Sequence, residues 1–203
     1  MRMFILSVVL FFVAGAAQAA TLNVVAGELR GASGVDVGGT FYDVQFLDGT
    51  CIDLFNGCDA LSDFTFNSLA SATLASQALL DQVFLDGAEG NFDSQPSLTR
   101  GCEAASSCFS LTPYNGNGPN NGFIFFDLDM VIANNSSGFN NVGHVDFFDE
   151  EGFGLVFQDS SSFSEHTWAV FSPATPVPEP STALLLVLGL TGLAGKGRKR
   201  NRS

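Results

Sequence analysis

Apolar and polar positions alternate over short stretches near the start of the chain, which is typical of β-strands. Residues 41–47 show this alternation and lead into the turn-forming pair Asp48-Gly49. Residues 22–25 form another β-prone stretch, and glycines at 31–34 and 38–39 interrupt the sequence between the two. The pattern predicts an opening hairpin or a pair of edge strands.

Helical periodicity is clear in one segment. Asn67 or Ser68 can cap a helix that runs to about Leu85, and Gly87 is placed to end it. Its apolar positions fall on one face: Leu69, Ala72, Leu79 or Leu80, Val83 and Phe84. We therefore expect one helix packed across the strands.

The stretch that follows, residues 88–121, is rich in glycine, asparagine and proline. It contains Pro96 and Pro113 and ends in the run 115–121, which has no apolar side chain. This composition predicts loops rather than strands.

Alternation returns from Phe123 onward. One set of positions is apolar throughout and is predicted to face the core: Ile124, Phe126, Leu128, Met130 and Ile132. Residues 145–148 and 153–157 are predicted to form a hairpin, and a last strand passes through Trp168. The fold class is thus mainly β, an antiparallel sheet or sandwich with one packed helix, and the 21 phenylalanines indicate an aromatic core.

The N-terminus has the three parts of a secretory signal. Arg2 precedes the apolar run 4–13, and small residues end the segment with Ala-x-Ala at Ala19. We expect signal peptidase to cut between Ala19 and Ala20 after the secretion machinery has engaged residues 1–19. One exported domain, residues 20–171, would then remain, a length that suits a single core.

The C-terminal segment changes character. Residues 172–182 are proline-rich and predicted to be an extended linker. Residues 183–195 are apolar and predicted to be a transmembrane helix, short for a bilayer and therefore a marginal anchor. The tail 196–203 carries five basic residues, which predicts that it lies in the cytoplasm with the domain on the far side of the membrane.

The linker contains Pro178-Glu179-Pro180 directly before the apolar run and the basic tail. This three-part order resembles the PEP-CTERM sorting signal across residues 177–202. The resemblance implies that the chain is a substrate of exosortase, a membrane-embedded transpeptidase-like enzyme of outer-membrane bacteria that make exopolysaccharide. It also implies that Pro178, Glu179 and Pro180 form the recognition motif and that the protein ends at the cell surface or outside the cell.

The charge of the exported part limits its partners. All 21 acidic residues lie between residues 20 and 180, where only Arg30 and Arg100 are basic. Such a strongly negative domain repels phosphate backbones, so no nucleic-acid partner is expected. Solubility outside the cell is the simplest reason for this charge.

The four cysteines form two local pairs in sequence, Cys51 with Cys58 and Cys102 with Cys108. An exported protein reaches an oxidising compartment, where disulfides are the default. Pairing of neighbours is the simplest of three connectivities. The spacing is too wide for a usual zinc site.

Candidate chemistry is sparse. Common hydrolase, metalloprotease and nucleotide-binding motifs are absent from the sequence, which leaves room only for an unfamiliar enzyme. His144 and His166 flank the predicted hairpin and could become neighbours. Asp127 and Asp129 share a strand face at a spacing that permits a calcium site, and acidic residues recur at 86–93 and 146–151. The sequence requires no cofactor, and calcium is the candidate ligand for these carboxylates.

Three interpretations follow for the exported domain. The first is a structural or adhesive component of the surface or the exopolysaccharide matrix, favoured by the sorting signal. The second is a calcium- or carbohydrate-binding β-domain, for which Trp168 and Tyr114 are the candidate aromatic platform. The third is an exported hydrolase, which requires a pocket that holds His144, His166 or a carboxylate pair.

Overall fold

The structure is a computed structural model that describes residues 19–104, 106–117, 127–136, 139–147 and 159–174. Within these residues, seven strands form one twisted sheet in the order β1-β2-β3-β9-β6-β7-β8. The strands are β1 (Thr21–Val25), β2 (Glu28–Val37), β3 (Thr40–Leu47), β6 (Ser107–Asn117), β7 (Asp127–Ser136), β8 (Asn141–Phe147) and β9 (His166–Pro173). A two-residue ladder joins β4 (Asp86–Gly87) to β5 (Gly90–Asn91).

The sheet is mixed, whereas the sequence predicts an antiparallel sheet or sandwich. β9 lies antiparallel to β3 but parallel to β6, where the register is Phe109 with His166 and Leu111 with Trp168. The mainly β class with a packed helix is confirmed. The predicted signal peptide and the predicted transmembrane helix 183–195 lie outside the described residues, apart from Ala19.

The first three strands form a meander, one strand more than the predicted hairpin. β2 runs straight through the glycines at 31–34, which the sequence pattern takes for a break. Gly31 has φ +152°, and a Cβ at this position would collide with the carbonyl oxygen of Val44 on β3. The glycine therefore permits close approach of two strands rather than ending one.

Strand β6 lies in the segment predicted to be loop, so that prediction is wrong for residues 107–117. Its apolar side chains alternate with hydroxyl groups, and these hydroxyls are buried under the helix instead of facing solvent: Ser110 and Thr112 are 0% and 1% exposed. Pro113 is tolerated because the pairing with β9 ends at Leu111, so no N–H is required there.

Among the described residues, two α-helices flank the sheet, and three short 3-10 helices lie in the loops: Leu61–Asp63, Pro96–Leu98 and Ser160–Ser162. Helix α2 (Leu69–Gln82) begins as predicted at Ser68, whose Oγ accepts a hydrogen bond from the Ser71 N–H at 3.3 Å, but it ends before the predicted Leu85. Helix α1 (Cys51–Leu54) has four residues and was not predicted; Thr50 caps it through the Asp53 N–H. So short a helix has no sequence periodicity to reveal it.

Both faces of the central strands are buried. The face under α2 includes Val44, Phe46, Val131 and Phe171, while the opposite face holds a smaller cluster that α1 covers: Cys51, Phe55, Cys58, Phe64, Leu111, Leu128, Met130 and Trp168. The prediction that only the face with Leu128 and Met130 is core is therefore incomplete, because Val131 is also 0% exposed.

The sheet has two distinct ends. We call the end that holds the start of β1, the Gly38–Gly39 turn and the end of β9 the terminal end. We call the opposite end, which holds Cys51–Cys58 and Cys102–Cys108, the disulfide end. Both disulfides form between sequence neighbours, as the simplest connectivity requires.

Candidate functional site

His144 and His166 lie on strands that are not adjacent, so the hypothesis that they become neighbours is wrong. β6 and β7 lie between β9, which carries His166, and β8, which carries His144. Three strand spacings separate the two backbones by about 14 Å. His166 lies between the rings of Phe109 and Phe163, with centroids at 5.2 and 5.6 Å. Burial lowers its pKa below the ordinary value of 6.5, although Glu165 opposes the shift.

The aromatic platform proposed for carbohydrate binding is absent at the two predicted residues. Trp168 is 0% exposed and Tyr114 is 7% exposed. The Trp168 ring packs edge-on against Phe55, and its Nε1 donates a hydrogen bond to the Gly49 carbonyl at 3.0 Å. An indole that is buried and saturated in this way belongs to the core, not to a sugar-binding surface.

The calcium candidates lie on β7. The Asp129 carboxylate accepts a hydrogen bond from Asn115 Nδ2 at 2.9 Å, and the register places Asn115, Asp129 and Asp146 side by side on three strands. Asp127 and Asp146 are described as backbone positions only. Among the described side chains, no group of three or more histidines, cysteines or carboxylates could hold a metal ion.

The acidic stretch 86–93 forms a tight hairpin. Asp86 Oδ1 accepts hydrogen bonds from the backbone N–H groups of Asp93 and Ser94, both at 3.0 Å. The Ser94 hydrogen bond, supported by that of Asp93, lowers the pKa of the exposed Asp86 carboxyl. These contacts stabilise the turn and favour a permanently ionised carboxylate. The other acidic cluster, 146–151, lies mostly outside the described residues.

A cleft of ≈ 640 Å³ opens beside the start of β1. Residues 19–22, the end of α2 and the hairpin at 85–90 line it, with carboxyl groups from four residues: Asp36, Asp81, Asp86 and Glu89. Two of them are held by neighbours, since Asp36 Oδ1 accepts from Gly39 N at 2.6 Å and Asp81 Oδ1 accepts from Gln77 Nε2 at 3.0 Å. This cleft is the concave surface that sequence reasoning missed, because its residues are distant in sequence.

A glycosidase-like acid needs a raised pKa, whereas the pKa of Asp86 in this cleft is lowered. Burial raises the pKa of Asp48, partly offset by a hydrogen bond from Ser160 Oγ and by the charge of Arg100. Asp48 follows β3 at the disulfide end, far from the cleft carboxylates. The raised carboxyl of Asp48 and the lowered carboxyl of Asp86 in the cleft therefore do not form an acid/base pair.

The domain leads directly into the sorting segment. Ala174 N donates a hydrogen bond to the Phe41 carbonyl at 3.1 Å, so the described chain leaves the sheet four residues before Pro178. At the other end, Ala19 is exposed and Ala20 is partly buried against the core just before β1. No helix among the described residues is long and apolar enough to cross a membrane.

These features define a class: an acidic, disulfide-stapled β domain whose last strand is followed at once by a sorting segment. Residues 176–201 match the family model of the PEP-CTERM protein-sorting motif, which includes Pro178, Glu179 and Pro180. The match confirms the predicted resemblance and supports a PEP-CTERM protein, an exosortase substrate, that is exported and sorted to the cell surface. It covers the sorting segment and not the domain.

No curated protein matches the chain. No solved structure matches it either.

Proposed function

We propose that the chain is a structural or adhesive component of the cell surface or its exopolysaccharide matrix, delivered by exosortase. The observation that carries the proposal is the sorting motif at 176–201, joined by a short linker to a rigid acidic domain. Burial of both faces of the central strands and two disulfides make such a domain durable outside the cell.

The delivery route is tested by replacing Pro178-Glu179-Pro180 with three alanines. We expect the precursor to persist in the inner-membrane fraction while the surface-exposed amount falls by about tenfold, since the motif provides the recognition energy. Thr175→Ala, in the same linker but before the matched residues 176–201, is the matched control and should be sorted normally. An unchanged location for the triple variant would contradict the route.

The structural role is tested in a strain that lacks the protein. We expect weaker surface adhesion and less cohesive matrix, restored by the wild-type chain but not by the triple-alanine variant. The protein should also co-fractionate with extracellular polysaccharide. Intact adhesion and matrix in the deletion strain would contradict this role, and release of sugars from the matrix by the purified chain would replace it with the hydrolase interpretation.

A calcium-binding role is the second candidate, favoured by the cross-strand row of Asn115, Asp129 and Asp146. Oxygen side chains on adjacent strands suit calcium. Calcium should then raise the melting temperature of the full chain, and Asp129→Asn should abolish that rise while Asp53→Asn, at the disulfide end, leaves it intact. An unchanged melting temperature would eliminate this candidate.

A further inference from the structure

The chain enters and leaves the domain at the same end of the sheet. β1 begins at Thr21 and β9 ends at Pro173, and the register aligns four residues across the sheet: Leu22, Ala32, Val44 and Phe171. Three strand spacings of about 4.8 Å place the first and last of these about 14 Å apart. The first and last described residues, Ala19 and Ala174, thus both lie at the terminal end.

The linker is too short to separate the motif from this end. Pro178 lies four residues after Ala174, whose N–H is held by Phe41. A fully extended chain spans at most about 3.6 Å per residue, so Pro178 lies within about 14 Å of Ala174 in any conformation. An enzyme that reads Pro178-Glu179-Pro180 must therefore approach the terminal end closely.

The charge of the terminal end distinguishes a protein partner from a lipid surface. Asp36, Asp81 and Glu89 lie around the cleft beside β1. The two arginines of the described residues lie toward the other end: Arg30 pairs with Glu28 at the start of β2, and Arg100 N bonds to the Leu29 carbonyl. Anionic headgroups would be repelled from so acidic a surface, which disfavours direct contact with lipid.

We propose that the terminal end of the sheet is the surface that contacts the membrane-embedded sorting enzyme, while the disulfide end points away from the membrane. This inference rests on the proposed sorting route. It adds an orientation and an interaction surface, in which the Gly38–Gly39 turn and the rim of the cleft lie against the enzyme during processing.

Two turns of one strand provide a matched test. Ala26–Gly27 joins β1 to β2 at the disulfide end, and Gly38–Gly39 joins β2 to β3 at the terminal end. A Cβ at Gly27 or at Gly39 would meet no atom within 4 Å, so both turns have room for an insertion. The same short epitope is inserted at either turn of the full chain, and spheroplasts are treated with an antibody fragment against it.

Conversion of the precursor to the processed mass is then followed by pulse-chase. We expect the antibody fragment to slow conversion by about tenfold or more when the epitope is at Gly38–Gly39, because it blocks positioning of the motif, and to have little effect at Ala26–Gly27. Equal conversion of the two complexes would overturn the orientation. Folding is checked in detergent, where both chains should form two disulfides and bind the fragment equally.

Further measurements distinguish contact with the enzyme from contact with lipid, and failure of the orientation from failure of the sorting route. In anionic vesicles without the enzyme, the antibody fragment should bind the full chain equally well at both turns. Loss of binding at Gly38–Gly39 in these vesicles would show that this surface contacts lipid and would contradict the proposed contact with the enzyme. If the triple-alanine motif variant is still converted, the sorting route itself fails. If conversion needs the motif but both antibody complexes convert alike, only the orientation fails.

Discussion

The two ends of the sheet are held by different means. At the disulfide end, two disulfides, the Trp168–Gly49 hydrogen bond and the Ser160 contacts with Gly49 fix loops that have little regular structure. At the terminal end, main-chain pairing and the side chain of Gln82 hold the strands together. Covalent stapling therefore lies where secondary structure is shortest. The end where the chain enters and leaves is held by hydrogen bonds and by ring packing of Tyr42 and Phe66 on Phe171.

The largest expected effect comes from the buried indole toward the disulfide end. Trp168→Ala empties the centre of the cluster beneath α1 and should reduce the free energy of unfolding by about 3–5 kcal/mol. Trp168→Phe keeps a ring against Phe55 and loses the hydrogen bond to Gly49, so it should cost clearly less. Urea denaturation of the full chain in mild detergent measures both, and equal costs would show that the hydrogen bond, not packing, dominates.

The second largest loss of stability is expected from removal of the Cys51–Cys58 disulfide, which holds α1. Cys51→Ser with Cys58→Ser opens a loop with sequence separation 7 and should cost about 2–3 kcal/mol. A four-residue helix does not persist unaided, so protease cleavage between residues 51 and 64 should appear first. The Cys102→Ser and Cys108→Ser pair is the matched control, with a similar cost but no new cleavage in that segment. Cleavage at the terminal end in either variant would contradict the local role of the staples.

The terminal end should respond more weakly. Gln82 accepts from Asp36 N at 2.9 Å and donates to Asp36 O at 2.8 Å, which ties α2 to β2. Gln82→Ala removes both hydrogen bonds and should cost about 1–2 kcal/mol. Gln77→Ala, whose partner Asp81 is exposed on the same helix, should cost much less. A cost for Gln82→Ala above that of a lost disulfide would reverse the ranking of the two ends.

The smallest effect is a pH dependence at the disulfide end. Burial keeps the pKa of His166 below 6.5, so the unfolded chain takes up a proton that the folded chain resists. The stability contributed at this site is full above the unfolded pKa of 6.5 and decreases as pH falls below it toward the folded pKa. The free energy of unfolding is measured for wild type and for His166→Gln at about pH 7.5 and about pH 5. Between these two pH values, the His166 site should lower it by less than about 1 kcal/mol, and this decrease should occur in wild type only. An identical pH dependence in the two chains would contradict this assignment.

Local patterns predicted part of the fold. The alternation at residues 41–47 and the cap at Ser68 correspond to β3 and α2, because both signals act within a few residues of sequence. The central position of β6 was not predictable in this way. Its hydroxyl-bearing face is buried only because Ser76 of α2 donates to Thr112 Oγ1 at 3.2 Å, a contact between residues 36 apart in sequence.

The same distinction between local sequence signals and long-range contacts applies to the candidate sites. The sorting motif and the cysteine pairs are contiguous or nearly so, and sequence reasoning located them. The relation of His144 to His166 and the burial of Trp168 depend on strand order, and strand order follows from long-range pairing. The parallel contact between β6 and β9 inserts two strands between the histidines, and no local pattern reports it.

The most direct test of the account is the intact mass of the protein recovered from cells with and without exosortase. Enzyme-containing cells should yield a chain that begins at Ala20 and has a changed mass, through removal or exchange of the apolar run and basic tail, residues 183–203. Cells without the enzyme should yield a chain that begins at Ala20 and keeps them. The same mass from both would contradict sorting through Pro178-Glu179-Pro180.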